Sequence, residues 1–142
     1  MKLKMVVDEG MELPAYAHDG DAGLDLRIRE DAWLRPNERR TIGTGVRVSI
    51  PDGYVGLVFP RSGLASKMGI SLSNCVGVID SGYRGEVGAT LVNNDKMPHL
   101  LKAGERVCQL VVVPFATCEL EVVSALDETE RGESGFGSSG KN

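Results

Sequence analysis

The sequence has few histidines, few aromatic residues and no cysteine pair spaced for metal binding. His18 and His99 are its two histidines, and aromatic residues make up 5% of the chain. Isolated histidines argue against a zinc site, which needs several clustered ligands. Cys75, Cys108 and Cys118 are odd in number and form no C-x-x-C motif. This pattern indicates small buried thiols in a reducing compartment.

The chain also lacks a long apolar segment and an excess of positive charge. No apolar run approaches the ~20 residues that a membrane helix requires, and residues 1–8 lack the apolar stretch of a signal peptide. We therefore predict a cytoplasmic protein with no membrane partner. The net charge of −4 argues mildly against a nucleic-acid partner. An anionic small molecule stays compatible, because its site needs only local positive charge.

What the sequence does contain is short β-branched runs separated by turn residues. The 142 residues include 18 glycines and suit one domain. Alternating or apolar runs predict strands at residues 1–7, 24–28, 46–50, 54–59, 86–92, 106–113 and 118–123. One short helix is predicted at residues 62–67, ending before Gly69. Strands at this spacing predict an all-β sandwich or barrel.

The composition changes after residue 126. Residues 127–142 contain four glycines, three serines and six charged residues, with Phe136 as the single large apolar side chain. Such a segment cannot form a core, so we predict a folded domain at 1–126 and a flexible C-terminal arm at 127–142. Residues 135–140 match the G-x-G-x-x-G expression of dinucleotide-binding folds, but no βαβ unit surrounds them. We therefore reject a Rossmann fold.

The most informative segment is GVIDSGYRGEV at residues 77–87. It predicts a β-hairpin whose turn needs Gly82 at positive φ. Asp80 directly follows the apolar pair Val78-Ile79, a position where an ordinary surface turn has no need of a carboxylate. A carboxylate next to apolar residues suits a general base near neutral pH.

Five short motifs stand in order along the chain. They are AGLDL at 22–26, PRSGLA at 60–65, GVIDSGYRGEV at 77–87, GERVCQL at 104–110 and RGESGFGSSG at 131–140. Any one of them is a weak signal, but five in order are specific. Together they closely resemble the motifs of the trimeric deoxyuridine triphosphatases (dUTPases), and the resemblance covers nearly the whole chain.

The resemblance implies a fold and an activity. The fold would be a distorted jelly roll or β-barrel of the β-clip type, assembled as a homotrimer whose active sites lie at the subunit contacts. The reaction would be hydrolysis of dUTP to dUMP and pyrophosphate by attack of water on the α-phosphate, with Mg²⁺ bound through the triphosphate. This activity keeps uracil out of DNA and supplies dUMP for thymidylate synthesis.

The third motif implies how the base and sugar are bound. Asp80 resembles the general base, and Tyr83 resembles the ring on which the deoxyribose rests and which excludes a ribose hydroxyl. An ordinary turn aspartate and a cross-strand aromatic are the structural alternatives. Backbone groups at Val78, Ile79 and Gly88 would bind the polar edge of uracil. The polar side chain of Asn74 would lie beneath the base.

The first, second and fourth motifs imply phosphate and metal contacts. Arg61, Ser62 and Gly63 open the predicted helix, where free N–H groups can face a phosphate, although Ser62 can equally be a simple N-cap. Gln109 resembles a residue that contacts the nucleophilic water and the α-phosphate; its alternative is an interface hydrogen bond. Asp25 would meet Mg²⁺ through water, with no direct protein ligand, or else face solvent.

The last motif implies that the arm closes over a neighbouring subunit's nucleotide. Arg131 would hold the γ-phosphate, Phe136 would stack on uracil, and Gly137 and Ser138 would add phosphate contacts. Closure would exclude water other than the nucleophile. The alternative is a disordered, solubilising terminus.

Two related functions have less support in the sequence. The deoxycytidine triphosphate deaminases share the fold but have Trp where Tyr83 stands and a catalytic Glu where this chain has Thr90. A nucleotide-gated regulator would use the arm as a switch for a protein partner, but no surface in the sequence requires such a partner. Arg84 and Arg106 add positive charge without an assigned contact.

Overall fold

The computed structural model describes residues 1–135, which form two antiparallel four-stranded sheets, a two-stranded ribbon and one short helix. The strands are β1 Lys4–Val7, β2 Leu24–Arg27, β3 Ala32–Leu34, β4 Arg39–Ser49, β5 Tyr54–Pro60, β6 Ile70–Leu72, β7 Gly77–Ile79, β8 Glu86–Asn93, β9 His99–Leu101 and β10 Arg106–Pro114. One sheet has the order β1-β4-β8-β6 and the other β2-β10-β5-β7, while β3 pairs with β9. The helix, α1, spans Ser62–Met68.

Apolar side chains on the inner faces of the strands form the core. Alternation buries Leu24 and Leu26 on β2, and Val87, Ala89 and Leu91 on β8. Each fully buried Leu or Val contributes roughly 1.5–3 kcal/mol through its removal from water. The predicted all-β class is confirmed, but the sheets of the described residues do not close into a barrel. No helix among these residues has the length and apolar character needed to cross a bilayer.

Helix α1 ends where the sequence predicts, but it begins differently. Gly69 follows the helix at φ 63°, a left-handed conformation that glycine adopts readily, and its N–H donates to the carbonyl of Ala65. Arg61 is the N-cap residue, and no side chain caps the first turn. The alternative interpretation of Ser62 as an N-cap is therefore wrong.

Six of the seven predicted strands are present, and the seventh is wrong. Residues 118–123 form no strand, because β10 ends at Pro114 and the chain beyond it has no ladder partner among the described residues. Two of the apolar side chains in this segment are almost fully exposed, Leu120 at 89% and Val122 at 98%. Strands β3, β6 and β9 were not predicted, since each has three residues and shows no clear alternation.

The predicted hairpin at residues 77–87 is also wrong. Strand β7 pairs with β5, whereas β8 pairs with β4 and β6, so the two strands lie in different sheets. The segment 80–85 therefore crosses from one sheet to the other. Gly82 does not adopt positive φ, and nothing lies within 4 Å of where its Cβ would be. Whether two adjacent strands pair depends on the whole sheet and not on the turn residues alone.

Candidate active site

A first cleft lies between the end of β7 and the start of β8, and we call it the base cleft. Its volume is about 270 Å³. It brings together six of the residues predicted from the sequence, namely Asn74, Val78, Ile79, Asp80, Tyr83 and Gly88. The crossing between sheets creates the cleft, because it separates two strands that a hairpin would have joined.

Asp80 lies at the mouth of the base cleft, directly after the last residue of β7. Its side chain is exposed, so its apolar neighbours in the sequence do not desolvate it in this chain. Its carbonyl accepts the N–H of Tyr83 at 3.1 Å. The guanidinium of Arg84 donates to the carbonyls of Ser81 and Tyr83 at 2.5 and 2.7 Å. Arg84 therefore fixes the turn that carries Asp80, a role that sequence reasoning missed.

The Tyr83 ring is held in place while much of it stays exposed in the cleft. Its hydroxyl donates to the carbonyl of Glu86 at 2.9 Å. The ring lies against Gly85, where an added Cβ would come within 2.6 Å of the ring carbon Cζ. Nevertheless 43% of Tyr83 is exposed. Such a fixed and accessible ring can support a sugar.

A second cleft lies where β2, β10 and the start of α1 meet, and we call it the phosphate cleft. Its volume is about 350 Å³. It brings together the predicted residues of three motifs, namely Asp25, Arg61, Ser62, Gly63 and Gln109. Three motifs far apart in sequence thus meet in one place.

Asp25 binds two guanidinium groups in the phosphate cleft. One carboxylate oxygen accepts from Nε of Arg61 at 2.9 Å and the other from Arg106 at 3.0 Å. The Asp25 side chain is only 13% exposed, so the alternative of a solvent-facing residue is wrong. The two guanidinium groups lie beside the carboxylate of Asp25, and Asp21 also lines the cleft. Guanidinium N–H groups are donors suited to phosphate oxygens. The sequence analysis assigned no contact to Arg106. In the structure Arg106 forms an ion pair with Asp25.

Gln109 is seated in the same cleft by a glycine and a carbonyl. Its amide nitrogen donates to the carbonyl of Pro60 at 3.2 Å. Gly23 leaves room for this side chain, since a Cβ at Gly23 would overlap the Gln109 amide oxygen. Next to it, burial and the charge of Asp25 raise the pKa of the Cys108 thiol to about 12. Cys108 therefore remains a neutral thiol and acts as a core side chain.

The two clefts lie far apart in one chain. Asp25 is on β2 and Asp80 follows β7, the opposite edges of the sheet β2-β10-β5-β7. Three strand spacings amount to about 14 Å across the sheet. Ile79 pairs with Gly56 near the start of β5, whereas Arg61 follows its end, roughly 17 Å further along the strand. One chain therefore presents two separate clefts.

Comparison with known proteins identifies the family of this chain. A protein-family model described as dUTPase matches residues 9–140. The chain belongs to the dUTPase family. It is similar to the deoxyuridine 5'-triphosphate nucleotidohydrolase of Cutibacterium acnes, with 55% identity over 129 residues that cover 90% of this chain and 85% of the relative.

Solved dUTPase structures share this fold. A mutant dUTPase of Staphylococcus bacteriophage 80alpha with dUpNHpp has a TM-score of 0.90 and 36% identity, and the match covers 98% of each chain. A mutant dUTPase from phage phi11 of S. aureus, whose structure reveals the coordination of a structural Mg(II) ion, has a TM-score of 0.81 and 32% identity. That match covers 88% of this chain and 98% of the phage protein. The predicted jelly-roll fold is thus confirmed.

The predicted C-terminal arm lies only partly within the described residues. Arg131 is exposed and its Nε donates to the carbonyl of Ser134 at 3.0 Å, and it lines neither cleft. Phe136, Gly137 and Ser138 lie outside the described residues. The division into a domain at 1–126 and an arm at 127–142 stays a prediction.

Proposed function

We propose that Asp80 is the general base with which this member of the dUTPase family hydrolyses dUTP to dUMP and pyrophosphate. The carboxylate orients and deprotonates the water that attacks the α-phosphorus, and the proton goes to Asp80. The observation that carries this proposal is the grouping of Asp80 with Tyr83 and Asn74 in one cleft of about 270 Å³. The substrate and the neighbouring subunit supply the desolvation that a single chain lacks.

Uracil is read by two free backbone edges that border the base cleft. β7 is an edge strand, so its side away from β5 is unpaired within the described chain. β6 pairs with β8 only from Leu91 onward, apart from one bond to Thr90, so the start of β8 near Gly88 is unpaired on that side. Cytosine would leave buried groups unpaired, at roughly 1–3 kcal/mol each. Val78, Ile79 and Gly88 provide the strip, and Asn74 lies beneath the base.

The triphosphate binds in the phosphate cleft. Arg61 supplies charge, Ser62 can donate to a phosphate oxygen, and Gly63 leaves its surroundings open, with nothing within 4 Å of where its Cβ would be. Gln109 reaches the α-phosphate and the nucleophilic water. The charged guanidinium of Arg61 can form shorter and stronger hydrogen bonds to phosphate than a neutral donor can.

The Asp25 carboxylate suits a metal that arrives with the substrate. Two of its roughly four lone-pair sites accept guanidinium N–H groups, and the others can accept from metal-bound water. Asp25 would thus hold Mg²⁺ through water, with no direct protein ligand. The bound ion would neutralise charge on the triphosphate.

A complete site combines the base cleft of one subunit with the phosphate cleft of another, in a homotrimer. The separation of the clefts in one chain supports this assembly. Residues 118–123 support it too, because Leu120 and Val122 project into solvent and need a cover. A groove on β1 and β4 is lined by Lys4, Arg47 and Arg84, of which Arg47 is also paired with Asp8. It suits an acidic, β-prone segment from a partner subunit.

Residues 127–142 form an arm that closes over the neighbouring subunit's nucleotide. Arg131 holds the γ-phosphate and Phe136 stacks on uracil, with Gly137 and Ser138 adding phosphate contacts. The exposure of every described residue beyond Pro114 supports a segment that needs a partner. A cytoplasmic location belongs to the same proposal, and the three free cysteines support it.

Pyrophosphate release from dUTP, dCTP, dTTP and UTP tests the proposed function. We expect cleavage of dUTP alone at appreciable rate, and loss of that cleavage when Mg²⁺ is chelated. Readdition of Mg²⁺ to the chelated sample, with restoration of activity, is the control. Equal cleavage of UTP and dUTP would contradict the role of Tyr83. Tight dUTP binding without hydrolysis would point instead to a nucleotide-gated regulator.

A further inference from the structure

Strand β4, which pairs with β8, contains a bulge whose free N–H group is bound by a side chain of β8. The β4–β8 ladder shifts register between Gly43 and Arg47, and Gly45 within this bulge has φ 68°. The bulge turns the N–H of Gly45 out of the backbone ladder. The Glu86 carboxylate accepts this N–H at 2.7 Å. Glu86 therefore satisfies a donor that the irregular strand would otherwise leave unpaired.

The Glu86 carboxylate is held on more than one side. Gly43 provides a notch for it, because a Cβ at Gly43 would overlap Oε1 and would lie 3.0 Å from Cδ. On the other side, Oε2 is 3.6 Å from a guanidinium nitrogen of Arg29. Only 23% of the Glu86 side chain is exposed. The side chain thus has one well-defined position at the first residue of β8.

The backbone of Glu86 also holds the ring of Tyr83 in place. The carbonyl of Glu86 accepts the Tyr83 hydroxyl at 2.9 Å, and Glu86 itself lines the base cleft. The contacts run in one chain, from the Gly45 N–H through the Glu86 side chain and carbonyl to the Tyr83 hydroxyl. If the side chain is released, the start of β8 can shift and the ring can tilt.

We propose that Glu86 is a positioning residue that holds Tyr83 upright against the sugar and so contributes to discrimination between dUTP and UTP. The inference rests on the proposed role of Tyr83 in excluding the ribose hydroxyl. Glu86 does not touch the reacting atoms. It acts through the position of the ring.

The test compares Glu86→Ala with Glu86→Gln by kcat/KM for UTP and for dUTP. Gln keeps an oxygen that can accept the Gly45 N–H, whereas Ala removes it. We expect the UTP:dUTP ratio of kcat/KM to rise on the order of fivefold in Glu86→Ala, the worth of one hydrogen bond. Glu86→Gln should restore a ratio close to that of the unmodified protein.

A double-mutant cycle with Tyr83→Phe separates positioning from general destabilisation. Phe removes the hydroxyl that donates to Glu86, so Glu86→Ala should change the ratio little further in this background. If Glu86→Ala does not fold, Tyr83→Phe alone should raise the ratio. Equal loss on both substrates in Glu86→Ala, or an equal rise of the ratio in both Glu86 variants, would overturn the inference. An unmodified protein with no preference for dUTP would instead contradict the proposed function.

Discussion

Asp80→Asn is expected to lower kcat for dUTP by about a thousandfold, within the range that a general base contributes. Asn has the shape of Asp but accepts no proton at neutral pH, so the attacking water would keep its proton. Because Asp80 is exposed and follows the end of β7, the substitution leaves the core intact. Calorimetry should therefore show dUTP binding close to that of the unmodified protein.

Asp52→Asn is the matched control for this substitution. Asp52 is an exposed aspartate in the turn before β5, and it lines neither cleft. Its replacement should leave kcat unchanged. Turnover by Asp80→Asn within tenfold of the unmodified protein would remove Asp80 from the role of base.

Deletion of residues 127–142 is expected to lower kcat/KM by roughly a hundredfold or more, because an open site leaves the triphosphate free to depart from in-line geometry. The melting temperature should not fall, since all of the described residues beyond Pro114 are exposed and add nothing to the core. Steady-state kinetics and thermal unfolding measure the two effects separately.

A pair of substitutions assigns the effect of the deletion to a particular charge. Arg131→Ala should reproduce much of the loss, because it removes the proposed γ-phosphate contact, whereas its neighbour Glu130→Ala should not. Undiminished activity of the deletion variant would show that the arm is not a lid. Equal losses in both point variants would show that the effect is not specific to the phosphate contact.

The sequence predicted the contents of each cleft better than the shape of the chain around them. Val78, Asp80 and Tyr83 are neighbours in sequence, so a local motif predicts that they lie together, and they do. The hairpin was wrong because turn residues do not determine which sheet the next strand joins. The β4 bulge could not be predicted either, because its signal is spread over Gly43, Gly45 and a glutamate on another strand.

Ion pairs between residues far apart in the sequence could not be predicted either. Arg61, Asp25 and Arg106 come from three different elements, and the registers of β10 with β2 and with β5 bring them together. Residues 118–123 show a different limit. Their alternation predicts a strand, but a strand needs a partner, and residues 1–135 of one chain do not provide it. An alternation of apolar and polar residues indicates that a segment can form a strand. It does not indicate which strand the segment pairs with.

We propose that each active site takes Asp80 from one subunit and Arg61 from another, and mixed oligomers test this arrangement most directly. Asp80→Asn and Arg61→Ala would be purified separately, each strongly impaired, and then refolded together in equal amounts. Random mixing gives about a quarter of the sites both native residues, so dUTP hydrolysis should recover to about that fraction of the unmodified rate. No recovery above the separately refolded variants would place both residues in the site of a single chain and contradict the claim.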